Sequence, residues 1–261
     1  MPARRINAGR LASEVFARTQ SAWQSVYTFR WMGRLGLPAA KKAAERQHGR
    51  TVQQFTESEE YAPTFGELRK LLIEHNFFED AAKSMTEQSV DTFEASLDAA
   101  ALIFTHSVLD GAVLDWCRVC SMAEPTDFLP VLADRRIALR DVQQSTFPVL
   151  LNTVIRSFLD NLERESLLKK MDLLFKVCRP PSGFEGVPRY RYDRDRLAQL
   201  DQLRHDYVHG RERLSRLPNG EYDLLFLRQT GDFMWPLVNQ RYDVRMDPYV
   251  VAAGVGFSVG T

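Results

Sequence analysis

The chain has 261 residues, 44% hydrophobic and 26% charged, which suits a soluble globular protein of one large domain or two small ones. Its 34 basic and 34 acidic residues cancel, so a global field that draws in polyanions is excluded and any such attraction must come from local patches. No segment has the roughly 18 uninterrupted apolar residues of a membrane span, and MPARRINAGR has no apolar run behind its arginines, so we expect no membrane association and a cytoplasmic protein.

Residues 8–33 and 38–48 are helix-compatible, and Thr64 with Glu67 predicts a capping box opening a helix to about Phe78. The strongest segment runs from about Gln88 to Met122. Phe93, Leu97, Ala100, Phe104, Val108 and Gly111 form one apolar stripe along it, while Leu102, Leu109 and Val113 form a second on another side. A helix that is apolar on more than one face belongs in the centre of a bundle.

Pro125 and Pro130 end that helix, and a further one is expected from Leu132 to Gln144. Phe147 to Val177 reads as one long helix, stopped by the loop-forming Arg179-Pro180-Pro181-Ser182-Gly183. The next helix starts near Tyr192 or Asp193 and ends before Gly210, where a left-handed cap is readily accommodated. Beyond residue 216 the pattern changes: Pro218-Asn219-Gly220 is a turn, Tyr222, Leu224, Phe226 and Arg228 alternate, and Tyr249 to Val251 is β-branched. These predict two or three short strands. The fold class is mainly α, a helical bundle with short C-terminal strands.

Charge is unevenly distributed. Residues 1–50 carry ten basic side chains against Glu14 and Glu45, whereas residues 51–110 are predominantly acidic. The basic run is either a solvated helix face or an arm turned to nucleic acid or a protein partner. Arg189, Tyr190, Arg191 and Tyr192 interleave cations with rings, a composition that holds phosphates while stacking bases, so they are the candidate RNA-binding residues. The alternative is a loop whose tyrosines pack on the bundle. Cys117 and Cys120 have the spacing of half a zinc site, but no second pair accompanies them, so with Cys178 they are expected as reduced core thiols.

The densest chemistry lies in LDQLRHDYVHG, residues 200–210. At 100° per residue, Leu197, Leu200, Leu203 and Tyr207 make the buried stripe, Arg204 falls within it, and His205 and His209 share a flank. A guanidinium directed at a core or groove needs an anion to offset its desolvation. Imidazole is the side chain whose proton comes and goes near neutral pH. His106, on the central helix, is placed to approach this segment; His48 and His75 suggest no chemistry.

Arg204-His205-Asp206-Tyr207-Val208-His209 fits the R-x-x-x-x-H signature of HEPN domains, with the polar residue that often follows the arginine. Ser107 to Asp115 resembles the earlier HEPN helix with its Ser-x-x-Glu/Asp pattern, and Leu167 to Leu174 resembles the helix before the motif. The resemblance covers roughly residues 88–215, which divides the chain into a helical extension (1–87), a HEPN-like bundle (88–215) and a β-containing extension (216–261), unless all three form one compact domain. It implies a metal-independent endoribonuclease that needs no cofactor, often a toxin or antiviral effector, whose active site forms where two motif helices meet in a homodimer. An antitoxin or other regulatory protein is a candidate partner. His209 would then move protons and Arg204 hold the phosphate. His205 would support them, with Asp206 beside it and Asp110 or Asp115 as partners of Arg204. Three other readings remain open: a noncatalytic HEPN module binding RNA, a nucleotide or a protein; a metal site at His205 and His209; and a charged helix end with His209 facing the last carbonyls.

Overall fold

The computed structural model describes residues 2–57, 70, 72–133, 136, 146–184, 186, 187, 190–210, 217 and 219–254. They are mainly helical, and no strand occurs among them. In chain order they form α1 (Pro2–Glu57), α2 (Phe77–Ala123), a 3-10 segment (Pro125–Val131), α3 (Phe147–Leu162), α4 (Leu167–Cys178), α5 (Arg194–Val208), α6 (Glu221–Tyr242) and α7 (Pro248–Gly254). Thr64 and Glu67, and most of the helix expected over 132–144, lie outside the described residues; of the helix expected to run to about Phe78, residues 70 and 72–74 are helical, and a turn at His75 and Asn76, with Asn76 in the left-handed region at φ 53°, separates them from α2.

α2 is the central element and packs against α1, α3, α4, α5, α6 and the 3-10 segment. Its second stripe explains why: Leu102, Leu109 and Val113 are fully buried, each withdrawing apolar surface from water. The first stripe is only half enclosed. Leu97 is buried, but Phe93 and Phe104 remain 42% and 51% exposed, and Phe104 meets Phe29 of α1 edge-on at 5.8 Å. By length and hydropathy α2 would also pass for a membrane span, but 61% of the qualifying stretch is buried in the protein. That burial is how the core helix of a bundle reads.

One core runs through the whole described chain, from Ala8 and Trp23 of α1 through Trp116 and Met171 to Val238 and Val244. α1 is continuous through Pro38, where a break between 33 and 38 was expected. Pro38 sits on the exposed side, where the carbonyl that loses its N–H partner is best placed to meet water. Gly231 allows α6 to approach α1 closely, because a Cβ there would stand 3.1 Å from the Trp23 ring. The basic N-terminal helix lies beside acidic α2: Arg18 pairs with Asp115, and buried Arg30 reaches Asp98 at 3.0 Å.

Two expectations are corrected. The stretch Phe147–Val177 is two helices, because Ser166 caps α4 by accepting from Lys169 N at 3.4 Å. The C-terminal strands are helices, α6 over Tyr222 to Arg228 and α7 over Tyr249 to Val251. Alternation over four residues is too short a window to separate the periods. Leu224, Leu227, Gly231, Met234 and Val238, all buried, recur every three or four positions, which only a helix can place on one side.

Candidate functional site

α5 is fixed at its start by Asp193, whose side chain accepts from Arg196 N at 2.9 Å, and at its end by Gly210 in the left-handed region at φ 62°. Leu197, Leu200 and Tyr207 anchor its inner side. Arg196 also bonds Asp223, so the first turn of α5 is tied to the first turn of α6. Arg194 donates to Asp172 of α4 at 2.8 and 3.0 Å, and these hydrogen bonds, against burial and with help from the guanidinium charge, hold the Asp172 carboxyl below its ordinary range.

On this scaffold Arg204 is partly buried, and its Nε is shielded from solvent with no hydrogen-bond acceptor among the described residues. A desolvated guanidinium N–H without an acceptor costs free energy that an incoming anion would recover. One turn on, the rings of His205 and His209 stand 4.3 Å apart at 54°. His205 is half-buried and His209 exposed, so the pair runs from the protein edge into solvent. His209 closes α5 by donating its backbone N–H to His205 O at 3.0 Å, which fixes where its side chain begins.

The sequence reading missed Asp201. His106 of α2 is buried, and its Nε2 lies 2.7 Å from Asp201 Oδ1. The distance is that of an ion pair, although the ring N–H is not aimed along the oxygen well enough for a good hydrogen bond. The contact with His106 holds the Asp201 carboxyl below its ordinary range, helped by the nearby charges of Arg204 and His205 and opposed by burial. The signal was available: Asp201 stands three residues before Arg204 and four before His205, neighbouring spacings on a helix surface.

The expected supporting carboxylates are elsewhere. Asp110 accepts from Lys170 Nζ with both oxygens, at 2.8 and 2.7 Å, and Lys170 is only 1% exposed. Asp115 is held by Arg18 and, at 2.8 Å, by Arg118. Neither is paired with Arg204. Asp206 accepts from Gln202 at 2.9 and 3.0 Å.

The arginine–tyrosine segment divides. Tyr190 is 2% exposed, and its hydroxyl lies 2.8 Å from that of Thr230, which itself donates to Phe226 O; Tyr190 is therefore the donor. Tyr192 packs on Phe175 with ring centroids 4.7 Å apart, and burial pushes its phenol up to about 12. Tyr190 belongs to the core and is not available to stack a base, and the half-buried Tyr192 is packed against that core through Phe175. Arg191 is exposed, and Arg189 lies outside the described residues.

Cys117, Cys120 and Cys178 are buried free thiols, with Cys120 and Cys178 sulfurs 3.8 Å apart. Burial raises the thiol pKa of Cys117 and of Cys120 well above the ordinary value, which suppresses the reactive thiolate. Among the described residues no group of three or more His, Cys, Asp or Glu side chains is arranged to hold a metal ion. The prominent grooves lie away from Arg204, His205 and His209: one lined by Leu11, Arg118 and Arg156, one by Arg5, Arg10 and Arg245, and one by Trp31, Arg34 and Tyr222.

No family model, curated protein or solved structure matches the chain.

Proposed function

We propose that the chain is a metal-independent endoribonuclease of HEPN type, acting as a homodimer on single-stranded RNA. The observation that carries this reading is the Arg204 Nε, shielded and without an acceptor among the described residues, on the residue directly before His205, whose ring pairs with that of His209. RNA brings its own nucleophile. A base takes the 2′-hydroxyl proton, the oxygen attacks phosphorus, the 5′-oxygen leaves with a proton from an acid, and a cation offsets the charge on the phosphorane.

His209 has the exposure that a proton-transfer group needs to meet a polymer, and Arg204 supplies the cation. His205 orients His209. Asp201 and His106 set the charge behind Arg204, and they replace Asp110 and Asp115 as the supporting pair. A single chain brings one exposed histidine, His209, to the end of α5, so the complementary acid comes from the second subunit's motif helix across a two-fold axis.

The test is product chemistry. Single-stranded RNA incubated with the purified chain in EDTA is expected to yield 2′,3′-cyclic phosphate and 5′-hydroxyl ends, and RNA with 2′-O-methyl at the cut site is expected to be inert. Cleavage that EDTA abolishes overturns the reading in favour of metal chemistry at His205 and His209. RNA binding with no cleavage favours the noncatalytic module. A role as toxin or antiviral effector, with an antitoxin as regulator, is the biological setting we propose for such an activity.

A further inference from the structure

A second constellation lies between α1 and the start of α6, in a groove of about 620 Å³. At its floor the buried Arg30 donates to Asp98 Oδ1 through Nε at 3.1 Å and Nη2 at 3.0 Å, which leaves Nη1 facing out. That nitrogen is 3.3 Å from Glu221 Oε1, and Arg34 Nη1 donates to the same oxygen at 2.7 Å. One carboxylate oxygen thus bridges two guanidinium groups, yet the Glu221 side chain is 71% exposed. Nearby, Arg228 lies over the Tyr27 ring at 5.5 Å. Trp31 and Tyr222 line the same groove while remaining 60% and 78% exposed.

Each feature points to the same class of ligand. Asp98 balances Arg30, Asp232 stands 3.7 Å from Arg228, and Glu221 is shared between Arg30 and Arg34, so the groove becomes positive only when the exposed Glu221 carboxylate swings out, and that is the place an anion would take. A surface carboxylate is weakly held because water screens it, and a phosphate, with more charge and more acceptor oxygens, answers a guanidinium fork better. Exposed indole and phenol rings beside such a fork provide stacking faces for a planar base.

We propose that this groove binds a nucleotide unit, its phosphate replacing the Glu221 carboxylate between Arg30 and Arg34 and its base stacking on Trp31 and Tyr222. The unit is either a free nucleotide or one residue of an RNA strand, which share this chemistry. The site stands on its own residues and does not depend on cleavage at α5.

The test uses the whole chain with 5′-AMP, ADP and a fluorescein-labelled single-stranded RNA, read by anisotropy and tryptophan quenching. Trp31→Ala and Arg34→Ala are each expected to weaken binding about ten-fold or more, with thermal melts confirming that each variant is folded. Trp31→Phe keeps a stacking ring and is expected to bind while losing the quench. Glu221→Gln is expected to bind more tightly, because a neutral amide yields the two guanidinium groups more readily. Affinity for RNA without affinity for AMP or ADP identifies the strand as occupant, and affinity for all three identifies the nucleotide itself. Unchanged affinity in Trp31→Ala and Arg34→Ala, or weaker binding by folded Glu221→Gln, overturns the proposal. RNA cleavage that ignores both substitutions leaves the α5 reading standing whatever the affinities show, and binding here by a chain that cleaves nothing leaves this groove standing without it.

Discussion

His106 Nε2 lies 2.7 Å from Asp201 Oδ1, joining the central helix α2 to the motif helix α5 one turn before Arg204. The contact makes Asp201 a pH-sensitive link between the two helices. Contact with His106 depresses the folded-state pKa of Asp201, so this carboxylate contributes stability that is present above its unfolded value of about 3.9 and is lost as pH falls through the folded value. Urea midpoints of the wild type are expected to fall below about pH 4, with Asp201→Asn showing a shallower fall. Parallel pH profiles for the two proteins would exclude this linkage.

Lys170 and Asp110 form an ion pair whose loss should cost stability measurably. Removing the carboxylate leaves a 1% exposed ammonium without its partner. Because Asp110 keeps a third of its side-chain exposure, Asp110→Ala is expected to cost about 2–3 kcal/mol, less than a fully enclosed pair. Lys170→Met in the same chain should recover much of that loss. Denaturant unfolding measures both, and an Asp110→Ala protein as stable as wild type contradicts the assignment.

Two core phenols should behave oppositely. Tyr190→Phe removes the donor to Thr230 and is expected to cost about 1 kcal/mol. Tyr192→Phe removes a shielded hydroxyl that has no partner among the described residues, so it is expected to be neutral or slightly stabilising. Neither substitution should alter the salt dependence of RNA binding, whereas Arg189→Ala with Arg191→Ala should flatten it, because fewer counterions are released. A flatter slope in either tyrosine variant would return those rings to an RNA surface.

These outcomes mark where the sequence was legible. α2 and α5 could be read because long runs average out local ambiguity, and Asp193 and Gly210 are strong local signals. α6 was misread because Tyr222 to Arg228 alternate by accident while burial follows the helical repeat of Leu224, Leu227 and Gly231. Tyr190 and Tyr192 carry no local mark that separates a stacking platform from a core contact; only the partners Thr230 and Phe175, 40 and 17 positions away, decide it. The pairing of Asp110 with Lys170 is hidden for the same reason, since 60 residues separate them.

Assembly is the next consequence. Val208 is 46% exposed on the motif helix beside His209. If two motif helices meet across a two-fold axis, Val208→Glu places like charges against each other, and dimer and cleavage should be lost together while helical content is retained. Light scattering at micromolar concentration reads the first and an RNA assay the second. A wild-type chain that is monomeric while fully active contradicts the composite site.

The central claim is that Arg204 and His209 perform the cleavage, and it is tested most directly by the single-turnover rate of RNA cleavage by wild type, Arg204→Ala and His209→Ala. Each substitution is expected to lower the rate by about 100-fold or more, with unchanged helical circular dichroism and with 2′,3′-cyclic phosphate ends on the wild-type products. Wild-type cleavage rates in folded His209→Ala would contradict the account.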